Sequence, residues 1–136
     1  GSVYNLINGI DADFPPFTYI DNNDNSLGFD IDCVDWIAKE MGFEVTHIPI
    51  SWDKIIAELL AGKIDLIASG MTITEERKKV VDFTIPYWQT DQGETYGYAV
   101  RKEDQELKET LNEGLRRLMN SPKWDEFVTK WEELPE

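Results

Sequence analysis

The sequence predicts an α/β domain, a three-layer arrangement in which a mostly parallel sheet carries helices on both faces. Three observations carry that expectation. Strand-like and helix-like segments alternate along most of the chain, the pattern that builds parallel sheets through helical crossovers. The candidate strands include short unbroken apolar runs such as Leu66-Ile67-Ala68, which suit burial inside a sheet. Finally, 136 residues, of which 41% are hydrophobic, suffice for one core and not for two.

Taken in order, Val3 to Ile10 reads as the first strand and ends at Asp11. Asp13-Phe14-Pro15-Pro16-Phe17 reads as a loop, because two prolines forbid a helix interior and a central strand alike. Thr18-Tyr19-Ile20 and Ser26-Leu27-Gly28-Phe29 flank Asp21-Asn22-Asn23-Asp24-Asn25, a turn cluster that fits a small hairpin. Asp21, Asn23 and Asn25 have the spacing of a calcium loop. Ser26 replaces the expected glycine, however, and Asp32 stands where a glutamate belongs, so the plain turn is favoured.

A helix from about Asp30 to Met41 follows, with Cys33, Val34, Ile37, Ala38 and Met41 on one stripe and Gly42 as its stop. Cys33 then reads as a small core residue. Phe43 to Ile48 is the second strand. A second helix spans Trp52 to Ala61, with Ser51 as its cap and Ile55, Ile56, Leu59 and Leu60 turned inward. Ile64 to Ala68 is the third strand, Thr74 to Val80 a short helix, and Asp82 to Thr84 the fourth strand. Past a polar junction, Gln89 to Thr95, Tyr96 to Arg101 reads as the fifth. A helix from about Glu103 to Met119 carries Leu107, Leu111, Leu115 and Leu118 on one face. Ser121-Pro122 restarts a helix with a cap and a first-turn proline, and Trp124, Phe127, Val128 and Trp131 form its core stripe.

Charge and cysteine count narrow the function. The formal net charge is −14, from 27 acidic against 13 basic residues, which repels nucleic acid and anionic membrane. No apolar run approaches the ~20 residues needed to span a bilayer. No signal peptide is legible, and Gly1-Ser2 looks like a cloning remnant, so a native signal could have been removed. A single cysteine excludes an internal disulfide framework, and with only His47 beside it a Cys/His zinc site is implausible; no metal or cofactor is expected.

Ligands of open α/β sheets sit beyond the carboxyl ends of the strands, and those ends here carry Asp11, Trp52 and Ser69 to Thr72. Ser69-Gly70 lets another group approach the backbone closely. Thr74 is a good N-cap, with Glu75 and Glu76 in the first turn and Arg77 three residues on. Bare N–H groups, the hydroxyls of Thr72 and Thr74 and a guanidinium therefore converge. A carboxylate would be held there by a bidentate Arg contact with N–H and hydroxyl donors. An ordinary β–α turn with a surface Arg accounts for the same residues about as well.

Asp11-x-x-Phe14-x-Pro16-Phe17, Gly28-Phe29-Asp30-Ile31-Asp32, the run from Asp65 to Lys79, Asp82-Phe83-Thr84-x-Pro86-Tyr87 and Tyr96-Gly97-Tyr98-Ala99-Val100-Arg101-Lys102 resemble the polar amino-acid-binding proteins of bacterial ABC importers, the type 2 periplasmic fold. The resemblance runs through nearly all of the chain, in order. It implies a five-stranded sheet ordered 2-1-3-5-4 with the fifth strand antiparallel, a sense that also suits the short junction before it. It implies that Arg77 pairs with a ligand α-carboxylate, helped by Thr72 and its N–H. Ser69 and Gly70, with the backbone through Met71, would meet the α-ammonium. Phe14 and Trp52 would sandwich the side chain, and Asp11 would contact its polar end. The membrane subunits of an importer are the implied partners, and the periplasm or another extracytoplasmic space the implied location.

The chain departs from that family between Trp88 and Tyr96, where the family inserts a whole second lobe. The expectation is a single lobe from which the other was cut out by design, with residues 1–88 as its first segment, 89–95 as a shortened hinge junction and 96–136 as the returning strand and closing helices. Such an open half-site should bind a polar or cationic amino acid weakly, no tighter than roughly millimolar. An exposed patch of Phe14, Trp52, Tyr87 and Trp88 should favour a weak homodimer, and the short junction between Trp88 and Tyr96 could permit a domain swap, both against the repulsion of the net charge. Two other readings share the fold: a receptor-type sensor lobe, and a periplasmic lyase on small carboxylic acids. The acid or base candidates for the latter, Asp11 and Glu94, lack a titrating partner nearby in sequence, so an enzyme is not expected.

Overall fold

The computed structural model describes residues 4–132. Gly1, Ser2 and Val3, where the first strand was expected to begin, lie outside the described residues. The elements follow one another as β1 (Asn5–Ile10), β2 (Asp13–Phe14), β3 (Thr18–Ile20), β4 (Ser26–Leu27), α1 (Phe29–Met41), β5 (Glu44–Pro49), α2 (Trp52–Leu60), β6 (Leu66–Ile67), α3 (Glu75–Lys78), β7 (Asp82–Phe83), β8 (Trp88–Gln89), β9 (Thr95–Tyr96), β10 (Ala99–Val100), α4 (Gln105–Met119) and α5 (Pro122–Glu132).

The central sheet has five strands in the order β5-β1-β6-β10-β7. β1 runs parallel to β5 and β6, whereas β10 lies antiparallel between β6 and β7. In order of appearance these strands are 2-1-3-5-4. Period-two geometry sends alternate side chains to opposite faces, and the sequence uses it directly. Leu66, Ala68 and Val100 join α1, α4 and α5 in one core; Ile67, Met71 and Ala99 join Ile55 and Leu59 of α2 in the other. Both layers of helix are therefore present.

Several local expectations change. Asp13-Phe14 is not loop: it pairs antiparallel with Thr18-Tyr19, and the two prolines form the turn between. The strand expected from Tyr96 to Arg101 breaks at Gly97. Its first part, β9, folds back on β8 in a separate two-stranded ribbon, and only β10 enters the main sheet. A side chain at Gly97 would meet Ile73 Cδ1 at 2.9 Å, so the break lets a loop pack close to the backbone. Leu60 does not turn inward but is 48% exposed, because the narrow buried stripe of α2 is filled by Ile55 and Leu59 alone. Ser51 occupies the cap position without a side-chain bond. Asp21 Oδ1 accepts the N–H groups of Asn23 and Asn25 at 2.8 and 2.9 Å, which turns that carboxylate inward on its own loop.

The expected apolar patch is also not exposed. Tyr87 is 4% exposed, and Trp88 packs edge-on against Phe17 and Phe29 at centroid distances of 5.4 and 5.3 Å. Phe14 and Trp52 are half-buried. Aromatic stacking within the lobe thus removes most of the surface that was to drive association. Cys33 is fully buried, and burial, with Asp30 and Asp32 nearby, pushes its thiol well above the usual range.

Packing of α4 on α1 turns on Gly114. A Cβ there would approach Ile37 Cγ2 to 2.4 Å, so only a bare Cα lets the helices come this close. Gly114→Val adds volume to a filled interface together with a β-branched helix residue. We expect urea unfolding to show a loss of about 2 kcal/mol or more, and an unchanged midpoint would mean that the two helices are not held at this distance.

Candidate functional site

The site begins with three hydroxyl and amide groups, those of Asp11 and Ser69 just past β1 and β6 and that of Thr18 at the start of β3. The Asp11 N–H donates to Ser69 Oγ at 2.9 Å, and Thr18 Oγ1 donates to the Asp11 carbonyl at 2.8 Å. With the Thr18 proton so used, Ser69 donates in the 2.6 Å contact between the two hydroxyls, which closes a ring of three bonds. Ser69 is fully buried in that ring. Asp11 is fixed at the rim, its own Oδ1 accepting from the Asp13 N–H at 2.9 Å.

One residue on, Gly70 takes φ +57°, a left-handed conformation that glycine adopts freely. A side chain there would meet the Phe14 ring at 2.4 Å. The Gly70 N–H donates to Asp30 Oδ2 at 2.6 Å, from the first turn of α1. Asp30 is fully buried, and its Oδ1 makes no bond. Burial therefore pushes its carboxyl up to about 7, against smaller opposing pulls from the neighbouring Tyr87 hydroxyl and the Gly70 N–H. That hydroxyl lies near Asp30 yet makes no aligned hydrogen bond, so burial is the effect that wins.

Above this floor lies a cleft of about 230 Å3 lined by Asp11, Phe14, Trp52, Gly70, Thr72, Arg77 and Tyr96. Thr74 caps α3, its Oγ1 accepting the Arg77 N–H at 3.1 Å. The cap aims Arg77 back over the turn, where Nη1 donates to the Thr72 carbonyl at 2.7 Å and the guanidinium lies 6.0 Å from the centre of the Trp52 ring. None of the ion pairs among the described residues involves Arg77. Its remaining N–H groups are available to an anion.

Six of the eight residues singled out in the sequence thus meet in one cleft. The other two do not line it. Ser69 spends its hydroxyl in the ring beneath, and Met71 is fully buried in the core beside α2, its carbonyl accepting the Gly97 N–H at 3.2 Å. Tyr96 was missed as a cleft residue. Its signal was position: the first aromatic after the junction had to lie beside Thr72, with which it forms an antiparallel bridge. Burial, then the charges of Glu94 and Asp30, raise its phenol above the usual value.

The chain belongs to the bacterial extracellular solute-binding proteins, family 3, whose family model matches residues 6–133. It is 41% identical over 83 residues to the arginine-binding extracellular protein ArtP of Bacillus subtilis, covering 61% of this chain and 32% of that protein. The chain therefore spans about a third of the length of the curated relatives it matches. Among solved structures, the arginine-bound form of domain 1 from TmArgBP is 50% identical, with a TM-score of 0.79, over 84% of this chain and 93% of that one. The ancestral amino acid-binding protein AncCDT-1, described as a precursor of cyclohexadienyl dehydratase, is 27% identical, with a TM-score of 0.86, over 93% and 95%. The chain is thus one lobe of the type 2 binding-protein fold, in a family of extracellular solute-binding proteins.

Asp30 gives the site a pH signature. The unfolded carboxyl loses its proton near 3.8 and the folded one near about 7, so between those values the folded state holds the extra proton. Stability contributed by this residue then falls as pH rises through that window and levels off above it. Asn at this position keeps an acceptor for Gly70 and removes the titration. Urea unfolding of Asp30→Asn at pH 4.5 and pH 8 should show the variant gaining on the wild type at the higher pH, by on the order of 4 kcal/mol at most. A difference that does not change with pH would place Asp30 ionised throughout.

Proposed function

We propose that this chain is a single amino-acid-binding lobe that holds the α-carboxylate of its ligand at Arg77 and Thr72. The observation that carries the reading is the Arg77 guanidinium, in no ion pair among the described residues and fixed by the Thr72 carbonyl, in a cleft otherwise lined by three aromatics, Gly70, Thr72 and the single carboxylate of Asp11. An α-carboxylate accepts from such a guanidinium in a charge-assisted pair, with the Thr72 hydroxyl beside it. Phe14, Trp52 and Tyr96 would flank the ligand side chain, and Asp11 would meet its far end. Ser69 and Met71 serve from beneath, by holding Asp11 and the backbone of the floor. An acidic end and aromatic walls favour a cationic side chain, and arginine is the ligand printed for two of the proteins to which this chain is similar.

Residues 89–95 stand, in this reading, where a second lobe is inserted in the longer relatives, and the short junction is a designed closure. That domain 1 of TmArgBP carries arginine by itself supports binding by one lobe. The parent protein would deliver its ligand to importer membrane subunits outside the cytoplasm. Binding is the sole activity proposed. The titratable groups of the cleft mouth, Asp11 and Tyr96, make no hydrogen bond to each other among the described residues, and a lyase needs a poised acid–base pair. With one wall missing, water competes for every polar contact, so affinity is weak, about 1 mM or roughly −4 kcal/mol. With most of the aromatic patch stacked inward and a net charge of −14, the lobe is proposed as a monomer whose self-association stays weak even when concentrated.

Isothermal titration with L-arginine, compared with Arg77→Ala, tests the reading, and the dilution heats read self-association. We expect weak saturable binding by the wild type and none measurable by the variant. Binding that survives loss of Arg77 would place the ligand elsewhere.

A further inference from the structure

Beyond Arg77 the cleft continues into a second cavity of about 640 Å3, which shares Thr72 and Arg77 with the first and has Glu94 and Glu76 on its walls. Glu94 belongs to the turn between β8 and β9, and its backbone is tightly held. Its carbonyl accepts the Thr90 N–H at 2.8 Å, and its own N–H donates to Thr90 Oγ1 at 3.1 Å. The next residue accepts the Ile73 N–H at 2.8 Å, which ties the turn to the segment bearing Thr72. Glu94 thus lines the second cavity together with Arg77, whereas Asp11 lines the first, and Glu94 forms no ion pair with Arg77 among the described residues. Its charge, after burial, also helps raise the phenol of Tyr96, which lines the first cavity.

Such a site presents one cation with carboxylates on either side, Asp11 in the first cavity and Glu94 and Glu76 in the second. A free amino acid with a basic side chain carries the opposite set: one carboxylate between two cations. Resting on the reading of Arg77 above, we propose that Glu94 receives the α-ammonium of the ligand and so selects free α-amino acids over their deaminated analogues. With the carboxylate on Arg77, the side chain runs between Phe14 and Trp52 toward Asp11, and the α-ammonium is left to face the second cavity. Glu76 shares that cavity, but Glu94 is the carboxylate there that acts on Tyr96. The pair is solvent-exposed, so its contribution is modest.

The test uses the full chain and two ligands, L-arginine and 5-guanidinopentanoic acid, which lacks only the α-amino group. Glu94 side-chain atoms take no part in the bonds that hold the turn, so Glu94→Gln leaves them in place. The wild type should prefer L-arginine. Glu94→Gln should weaken L-arginine by about threefold to fivefold, the range of an exposed ion pair, leave the analogue unchanged and so abolish the preference. Glu76→Gln should keep it. Equal loss of both ligands at Glu94→Gln, no loss of either, or a preference lost at Glu76→Gln would overturn the inference while leaving Arg77 in its role. No binding of either ligand by the wild type would overturn the reading of Arg77 and this inference together.

Discussion

The hydrogen bond from the Gly70 N–H to the buried Asp30 carboxylate is the constraint from which the rest of the cleft follows. It ties the exit of a central strand to the start of α1, which packs on one face of the sheet. Gly70 must be left-handed to make it, and must lack a Cβ because Phe14 occupies the space. Phe14 in turn stacks on Phe17 and leans on Tyr96, so the aromatic wall is built against a bare backbone atom. The hydroxyl ring of Ser69 and Thr18 does the same for Asp11. A fully buried carboxylate is costly, and a half-satisfied one more so. Its retention at this position is consistent with a floor that has to be rigid before the ligand arrives.

The opposite end of the sheet is held by different chemistry. Arg101 donates to the carbonyls of Leu59 and Ile64 at 2.8 and 2.7 Å and pairs with Asp65, whose other oxygen accepts the Ile7 N–H at 2.8 Å. Charged groups therefore close both ends of the strands, one end satisfied internally and the other left with an open guanidinium. That asymmetry separates the internally satisfied Arg101 from Arg77, the arginine proposed to meet the ligand. Arg101 is spent on protein groups; Arg77 makes one bond to a carbonyl and faces the cleft.

Much of this was legible in the residues. Helix stripes such as Leu107, Leu111, Leu115 and Leu118 are long and periodic, so burial could be read from spacing alone. Thr74 announced its cap, and the cap fixed where Arg77 pointed. Three things escaped. The break at Gly97 depends on Ile73 packing against it from far along the chain, which no local pattern records. Ser69 has the composition of a ligand group, but its hydroxyl is taken by Thr18 and Asp11, partners set by tertiary structure. The aromatic patch looked exposed because its neighbours, Phe17, Phe29 and Tyr96, come from three separate segments.

In the proposed binding mode, ligand contact is confined to one end of the sheet, at the floor built on Gly70 and the guanidinium of Arg77. The most direct measurement is a 15N amide and indole correlation map recorded during titration with L-arginine. The expected shifts are concentrated at Asp11, Phe14, Gly70 to Arg77 and the Trp52 indole, with Trp36 and Trp124 on the far helical layer unmoved. Shifts centred on Trp36 and Phe127, in the groove between α1 and α5, would contradict it.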